Sequence, residues 1–374
     1  DEPISTLLAE KIATGQTRVV CISKQKSRFS DRIPHTAFYA FDTFQKHFKG
    51  VDFPGRVTVV YDNAALLAPL QLIRPDINYI DALNLNLIDY SSPLSNEAFE
   101  NLARDPSEFY KDRLLSAYKE HHVACDSVTI IIPHYNTDLW KLERCLRSAI
   151  ACKDRHAETQ VMLIDDGSKV DIKADIQKVM GPLWEQIDYY HKPNAGLGPT
   201  RNYGVEKSTA EFVYFLDSDD EIIADHLPLL LAEAAMSQVD AVIGKRILCT
   251  PDGSFLSDSL DYIFEGVRRQ VTARDQNIFD DLMANNKLVR RSAFIEKNLW
   301  FDAGLYEDNV FTVRMYNALK SISFLNFAIH KWYQYGAGES ITKTVSFDSV
   351  RWKIQSLVNS WVHLDAPQRM RRIK

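Results

Sequence analysis

Several common signatures are missing from this chain of 374 residues, and each absence excludes a class of protein. No uninterrupted apolar stretch reaches the ~18 residues that a membrane-spanning helix needs. Cysteine occurs only 5 times, without CxxC or zinc-ligand spacing, so we expect reduced thiols in a cytoplasmic protein. The first residues, DEPISTLLAEK, lack the basic start and apolar core of a signal peptide. The abrupt start and the basic end, RMRRIK, suggest a fragment of a longer polypeptide.

An excess of basic charge is also missing. The net charge of -6 gives no overall attraction for nucleic acid or for an anionic surface, so no nucleic-acid partner is predicted. What is present is typical of a globular protein: 45% of the residues are hydrophobic and 25% are charged. The length is sufficient for two or three hydrophobic cores.

Four segments are predicted along the chain. Residues 1–90 alternate strand-like and helix-like stretches, which predicts a small α/β accessory domain with parallel strands. Residues 91–125 predict a helical connector. Residues 126–345 repeat a strand, loop and helix pattern, which predicts a doubly wound α/β sheet. Residues 346–374 predict an amphipathic helix and a basic tail.

The amphipathic helix is expected within VRWKIQSLVNSWVHL. Its apolar face consists of Ile354, Leu357, Val358, Trp361 and Val362. We expect this face to pack on the preceding domain. A peripheral membrane contact, helped by the basic tail, is the alternative.

Polar loops follow four predicted strands of the third segment. These loops are 133–136, 165–168, 194–202 and 217–220. Because ligands of doubly wound sheets bind at the carboxyl ends of the strands, the four loops are expected to converge on one site.

The loop at 217–220 belongs to EFVYFLDSDDEI, an apolar strand followed by an acidic cluster. Asp217, Asp219, Asp220 and Glu221 would repel one another if all were ionised and close. Either a divalent cation or a fully solvated loop is therefore expected, and a cation would imply a function.

The motifs TIIIPHYN, LIDDGS, NAGLGPTRNYG and FLDSDD, in this order, resemble the nucleotide-sugar-binding half of the family 2 glycosyltransferases. The resemblance covers residues 126–345 and implies the GT-A fold, a Rossmann-like mixed sheet flanked by helices. It implies a metal-dependent inverting enzyme, a hexosyl- or N-acetylhexosaminyltransferase that moves sugar from a UDP-sugar to a hydroxyl of a glycan or lipid-linked saccharide. The implied setting is bacterial surface polysaccharide synthesis, in the cytoplasm or at the inner face of the membrane.

Two loops are expected to hold the nucleotide. Tyr135 can stack on a base, and Asp166 can accept a hydrogen bond from a ring imide N–H, which would favour uracil. A core-capping ring for Tyr135 and a cap on the next turn for Asp165 are the alternatives. With the resemblance, the expected nucleotide-sugar contacts are Pro133, Tyr135, Asn136, Asp165, Asp166, Asn194, Gly196, Arg201, Asp217, Ser218 and Asp220.

The loop at 194–202 carries two glycines and an arginine. Gly196 and Gly198 permit a close approach of the backbone, and Arg201 can direct its guanidinium toward a diphosphate or toward the acidic cluster.

The segment 217–219 resembles the family's DxD element, and its hard oxygen ligands suit Mn²⁺ or Mg²⁺. Asp219 is expected to coordinate the metal directly, with Asp217 nearer the ribose and Asp220 assisting the metal or orienting the sugar. The resemblance adds His330 as a metal ligand, or Lys331, Tyr333 and Tyr335 as basic and aromatic residues that close over the diphosphate. A structural histidine is the alternative.

The pair Glu307 and Asp308 resembles the family's ED element. The resemblance makes Asp308 the base that removes a proton from the acceptor hydroxyl, and Glu307 a residue that orients the acceptor. Stabilisation of a helix N-terminus is the alternative for both.

Two other polar segments lie near these motifs in the sequence. Lys287, Arg290 and Arg291 are interpreted as a solvated charged face. Ser340 and Thr342 resemble a flexible lid over the donor.

Three other functions compete with this interpretation. A non-catalytic sugar-binding module would need neither Asp308 nor an intact acidic cluster. A sugar-phosphate nucleotidyltransferase would need a glycine-rich basic signature, which PHYNTDLWK lacks. A phosphatase of the haloacid dehalogenase type wants Thr or Val at the position of Glu221.

Overall fold

The computed structural model describes residues 19–22, 36–39, 58–61, 78–81, 106–120, 126–250, 255–256, 260–264, 268–273, 276–335 and 347–364. The chain divides into two compact units, residues 1–113 and 114–374. Each unit is described by itself.

The described strands of the first unit form a parallel sheet. They are β1 Val19–Ile22, β2 Thr36–Tyr39, β3 Thr58–Tyr61 and β4 Asn78–Asp81. Their order is β2-β1-β3-β4, and every pairing is parallel, as the alternation of apolar stretches predicts. Strand β2 overlaps the start of an amphipathic run near 37–48 that the sequence pattern indicates to be helix-like, and the rest of that run lies outside the described residues.

The described part of the second unit contains one large sheet. Its strands are β5 Val128–His134, β6 Thr159–Asp165, β7 Ile187–His191, β8 Phe212–Phe215, β9 Glu221–Ile222, β10 Ala241–Cys249, β11 Phe255–Leu256, β12 Arg268–Val271, β13 Lys287–Arg290 and β14 Ile322–Tyr333. The helices, beginning with one that spans the division between the units, are α1 Pro106–Glu120, α2 Leu139–Arg155, α3 Lys173–Met180, α4 Leu197–Lys207, α5 Leu227–Ser237, α6 Arg291–Glu296, α7 Glu307–Ala318 and α8 Phe347–Trp361.

The sheet is mixed. Its strand order is β12-β14-β10-β13-β8-β5-β6-β7, with β9 paired to β14 and β11 paired to β10. Strands β8, β5, β6 and β7 run parallel, whereas β13 is antiparallel to both of its neighbours. The predicted α/β class with a Rossmann-like mixed sheet is confirmed.

Burial explains the composition of the central strands. All seven residues of β5 are buried, and so are all four of β8. A strand of a parallel sheet that is covered on both faces must be apolar throughout, which is why these strands are continuous apolar runs. Because β6, β5 and β8 are neighbours and parallel, the loops 133–136, 165–168 and 217–220 leave the sheet at the same edge.

An aromatic cluster fixes the position of α7 relative to this edge. Phe215, the last residue of β8, contacts Phe301 edge to face at 5.1 Å between ring centroids. Phe301 in turn stacks on Phe311 of α7 at 3.8 Å. The first turn of α7, which begins at Glu307, is therefore held beside the end of β8.

The last helix, α8, faces the opposite way from our expectation. Ser356 and Ser360 of this helix are buried, as is Leu364 just after it, whereas Ile354 is 57% exposed and Val362, the next residue after the helix, is 66% exposed. The prediction that the apolar face packs on the preceding domain is wrong. On the inner face, Ser356 accepts a hydrogen bond from Asn309 Nδ2 (3.1 Å) and donates one to the Tyr306 carbonyl (2.9 Å), and the Trp352 ring packs against Gly304. No helix within the described ranges is long and apolar enough to span a bilayer.

Candidate active site

The acidic loop after β8 forms a tight turn. The backbone N–H of Leu216 donates to the Ile131 carbonyl at 3.0 Å, and that of Asp220 donates to the Asp217 carbonyl at 3.0 Å. Ser218 is buried, and its hydroxyl lies 2.6 Å from the hydroxyl of Thr137. The carboxylates of the turn are therefore held at the edge of the sheet and not spread into solvent.

Arg201 is the centre of the site. Its side chain is fully buried, and its Nη2 donates to Asp217 Oδ1 at 2.7 Å. Its Nη1 donates to Glu307 Oε1 at 2.8 Å and to Asp308 Oδ1. Two partners were expected for Arg201, a diphosphate or the acidic cluster. In the structure its guanidinium binds the acidic cluster.

This arrangement brings the DxD-like segment and the ED pair together. Asp217 and Asp308, which are 91 positions apart in the sequence, bind the same guanidinium. Burial and the neighbouring Asp308 raise the pKa of Glu307 to about 8, against the opposing effect of Arg201. Three carboxyl groups around one cation leave an excess of negative charge, and protonation of Glu307 reduces it.

Asp219 differs from the other carboxylates of the turn. Its backbone oxygen accepts hydrogen bonds from Arg144 and Tyr335, whereas its carboxylate is bonded by its own backbone N–H and by no other described residue. Burial and the carboxylates of Asp220 and Asp217 raise its pKa to about 7. The positive charge of Lys141 opposes this rise only in part. A carboxylate that is partly buried and crowded by like charges is suited to binding a cation.

Asp220 is buried, and both of its carboxylate oxygens bind protein groups. Its Oδ2 lies 2.9 Å from His330 Nε2, and its Oδ1 accepts from the backbone N–H of Tyr333 at 2.8 Å. The other ring nitrogen of His330 lies 3.0 Å from the Tyr214 hydroxyl. Burial lowers the pKa of His330 to about 3, so the ring is neutral. A metal bond from His330 would require one of these two hydrogen bonds to be given up.

The two loops expected to hold the nucleotide are joined to each other. The backbone N–H of Asn136 donates to Ser168 Oγ at 3.0 Å, and that of Lys169 donates to Asn136 Oδ1 at 2.9 Å. Pro133 is buried in β5, whereas Tyr135 is 43% exposed. The Tyr135 ring is therefore available to a ligand at the rim of the site.

Asp165 and Asp166 both organise backbone. Asp165 Oδ1 accepts from the N–H of Ser168 at 2.9 Å, which is the turn cap that we weighed as its alternative. Asp166 binds the Lys192 ammonium and accepts from the N–H groups of Ala195 (2.9 Å) and Gly196 (2.8 Å). The carboxylate of Asp166 thus shapes the loop at 194–196.

The two glycines of that loop serve different purposes. Gly196 has φ of +94°, a conformation that disfavours any other residue. Packing requires a glycine at position 198, because a Cβ there would overlap the carbonyl oxygen of Asp302 and crowd Glu307. Asn194 is exposed, and its Nδ2 donates to the Asp166 carbonyl at 2.9 Å. The close backbone approach predicted at Gly198 is therefore to the protein itself.

The interpretation of Lys287 as part of a solvated face is wrong. Lys287 is fully buried, and its Nζ lies 2.7 Å from Asp281 Oδ2, which is also fully buried. Arg290, by contrast, pairs with the exposed Glu211. A basic residue at the start of a short strand gives no sign in the sequence of which side it faces.

Sequence reasoning missed Arg144 and Trp140, which lie beside the acidic turn with the expected aromatic residues Tyr333 and Tyr335. Arg144 of α2 donates to the Tyr335 hydroxyl at 2.6 Å, lies 3.5 Å over the Tyr333 ring and pairs with Glu221 at 3.2 Å. The half-exposed Trp140 meets the Tyr335 ring edge to face. The helical period of α2 predicts only its buried side, so Trp140 and Arg144 could not be identified from the sequence. Ser340 and Thr342 lie outside the described residues.

Comparison with known proteins gives independent information. Residues 129–296 match the Glycosyl transferase family 2 model. The glycosyltransferase GlyA of Streptococcus pneumoniae is 28% identical over 217 residues, covering 55% of this chain and 30% of GlyA. The succinoglycan biosynthesis protein ExoW of Rhizobium meliloti is 36% identical over 118 residues, covering 30% of this chain and 35% of ExoW. A crystal structure of S. aureus TarS 1–349 with UDP superposes with a TM-score of 0.51 at 23% identity, covering 63% of this chain and 65% of TarS 1–349.

The mixed sheet, its flanking helices and the carboxylate turn after β8 define a glycosyltransferase domain of the GT-A fold. Residues 129–296 carry the similarity to glycosyltransferase family 2. The predicted family and fold are confirmed. The chain spans about a third of the length of the curated relatives GlyA and ExoW.

Proposed function

We propose that this chain is an inverting transferase that moves a sugar from a UDP-sugar to a hydroxyl of a glycan or lipid-linked saccharide. The observation that carries this proposal is the convergence of Asp217 and Asp308 on Arg201, with the carboxylate of Asp219 in the same acidic turn. A binding module would not need a second carboxylate element at the place where the donor's reactive end would lie.

The proposed donor site is the rim formed by the loops 133–136 and 165–168. The exposed ring of Tyr135 offers a stacking surface for a base. The solved complexes of S. aureus TarS contain UDP and UDP-GlcNAc, and this supports a UDP-sugar as the donor. For Asp166 to accept a hydrogen bond from the base, its carboxylate would have to share an oxygen already bound to the loop amides.

A divalent cation fits the acidic turn. No group of three or more His, Cys, Asp or Glu side chains in the described part of the chain surrounds a single metal position. Mg²⁺ and Mn²⁺ in nucleotide sites commonly use one or two carboxylates and complete their shell with phosphate oxygens and water. Asp219 would supply such a carboxylate, with Asp217 as the second. When bound, the ion would neutralise charge on the departing diphosphate.

Asp308 is the proposed base. Its side chain is 17% exposed, its Oδ1 is bound by Arg201 and its Oδ2 by the N–H of Ala284. Each carboxylate oxygen retains a second lone pair, so Asp308 can accept the proton of an acceptor hydroxyl. The acceptor oxygen then forms its bond to the anomeric carbon as the bond to the diphosphate breaks, and UDP leaves. One displacement inverts the anomeric centre.

The proposed setting is the cytoplasmic face of a membrane, in polysaccharide synthesis. The printed name of ExoW, a succinoglycan biosynthesis protein, supports such an acceptor. The outward apolar face of α8 precedes the basic stretch RMRRIK, and this combination suits a surface of anionic lipid. Sedimentation with anionic and with neutral vesicles tests this contact, and equal binding to both would refute the role of the basic tail.

The experiment for the proposed function measures free nucleotide released from a panel of UDP-sugars with Mn²⁺, followed by acceptor trials. Asp308→Asn should abolish transfer and keep UDP binding, whereas Asp219→Ala should lose the Mn²⁺-dependent part of UDP binding. Transfer retained by Asp308→Asn would refute the assignment of Asp308 as the base. UDP binding without any nucleotide release by the unmodified chain would favour the non-catalytic module.

A further inference from the structure

A two-residue segment that has no role in the expectations above contacts two carboxylates of the proposed site, Asp217 and Asp308. Asn285 Nδ2 donates to Asp217 Oδ2 at 3.2 Å. The backbone N–H of its neighbour Ala284 donates to Asp308 Oδ2 at 3.2 Å. The segment lies just before β13 and is named here the 284–285 bracket.

The bracket and Arg201 hold the two carboxylates from opposite sides. Arg201 binds Oδ1 of Asp217 and Oδ1 of Asp308, whereas the bracket binds Oδ2 of each. A carboxylate held through one oxygen can still rotate or swing. With both oxygens held by groups that are themselves fixed, the position of each carboxylate and the separation between them are set.

Buried polar contacts fix the bracket itself. The next residue, Asn286, has φ of +81°, and its Nδ2 donates to the Gly244 carbonyl at 2.9 Å. The backbone N–H of Gly244 returns a hydrogen bond of 3.0 Å to the Asn286 carbonyl. The buried pair of Lys287 and Asp281 lies at the same place. The bracket is thus attached to the sheet on the side away from the carboxylates.

The chemistry of Asn285 indicates that its amide is there for Asp217. The side chain is fully buried, and Nδ2 must face the carboxylate because Oδ1 in that position would be repelled. Within the described residues, its Oδ1 has no hydrogen-bond partner. A buried acceptor without a partner costs about 1–3 kcal/mol. The hydrogen bond to Asp217 is thus the one that this side chain makes within the described residues.

We propose that Asn285 is a positioning residue for sugar transfer: together with Ala284 N–H and Arg201, it sets the separation of Asp217 and Asp308. This inference rests on the proposed function, because it assigns the two carboxylates to the donor side and the acceptor side of one reaction. Asn285 does not itself touch the reacting atoms.

The test compares three variants with the unmodified chain. Asn285→Ala removes the amide, and Asn285→Asp keeps the shape but replaces the N–H donor with an oxygen. Asn317→Ala is the control, because it removes an exposed amide that donates to the Val313 and His363 carbonyls outside the site. The measurements are kcat and KM for UDP-sugar turnover with Mn²⁺, and the Kd of UDP.

A positioning role predicts a separation of kcat from binding. Asn285→Ala should lower kcat about 10- to 100-fold, the usual effect of displacing a catalytic group by a fraction of a bond length or more, and change the UDP Kd by less than about threefold. Asn285→Asp should be no better than Asn285→Ala, because its oxygen repels Asp217. Asn317→Ala should retain the kcat of the unmodified chain.

Each other outcome is decisive. If Asn285 matters only for packing, the isosteric Asn285→Asp variant will be more active than Asn285→Ala, and this order would overturn the proposal. Unchanged kcat in both variants, or unfolding of both, would also overturn it. Absence of turnover in the unmodified chain would instead refute the proposed function, and so the two failures can be told apart.

Discussion

Replacement of Arg201 is the most direct perturbation of this site. Arg201→Lys keeps the charge but removes the planar fork that lets one side chain bind Asp217, Glu307 and Asp308. Arg201→Met removes the charge as well and leaves the carboxyl groups without their cation. Arg314→Lys is a matched control, because Arg314 is partly exposed and binds one carboxylate, that of Asp302, at 3.0 Å.

The structure sets the order and the size of the effects. A hydrogen bond to a charged group contributes about 1.5–3 kcal/mol, and an ammonium in place of the fork must lose at least one of the contacts. We therefore expect Arg201→Lys to lower the free energy of unfolding by about 2–4 kcal/mol. Removing one partner of a buried ion pair costs about 3–5 kcal/mol, which is the expectation for Arg201→Met. Arg314→Lys should cost less than about 1 kcal/mol.

Tryptophan fluorescence during urea unfolding is a suitable assay. All 6 tryptophans of the chain lie after residue 113, so the signal reports the second unit alone. The slope of the transition should be the same in all variants, which shows that the same surface is exposed. If Arg201→Lys unfolds with the same free energy as the unmodified chain, then the three contacts of the guanidinium do not stabilise the fold, and the reasoning is refuted.

Two further predictions concern charge in the same region. Asp219→Asn should stabilise the metal-free chain at pH 8 by about 1–4 kcal/mol, because a folded-state pKa raised to about 7 makes the ionised carboxylate unfavourable. This difference in the free energy of unfolding should reach its full size above pH 7 and vanish as the pH falls toward the ordinary pKa of an aspartate. A difference that stays constant in urea unfolding across this range would contradict the prediction. Mn²⁺ with UDP should stabilise the unmodified chain more than the variant. Lys287→Met should cost about 3–5 kcal/mol, since it leaves Asp281 buried without its ammonium. Arg290→Met, whose partner Glu211 is exposed, should cost less than about 1 kcal/mol, and equal costs for the two variants would show that Lys287 is solvated after all.

The carboxylates of Asp219 and Asp220 have different surroundings in the acidic turn. Asp220 is bound by His330 and by the N–H of Tyr333, so it anchors the turn to β14. Arg144 attaches the same turn to α2 through the Asp219 carbonyl. With its backbone held from two sides, the turn can present the Asp219 carboxylate in one direction, as binding of an ion together with a diphosphate requires.

The sequence by itself determined the elements that carry the site. Uninterrupted apolar strands can only be buried in the middle of a sheet, and the polar residues that follow them must then appear at its edge. For this reason the strands β5, β6 and β8 and the acidic turn at 217–220 were predictable. The ordered motifs also identified the family, because their residues are local in the chain.

Only the tertiary structure decided which side chains meet. The bond between Arg201 and Asp308 and the contact between Asn285 and Asp217 join segments far apart in the sequence, and local pattern contains no information about such pairs. The same holds for the orientation of α8, where two serines face inward and the apolar residues face outward. Helical periodicity shows that a helix has an apolar face, but the hydrogen bonds available on the neighbouring elements determine which face is buried.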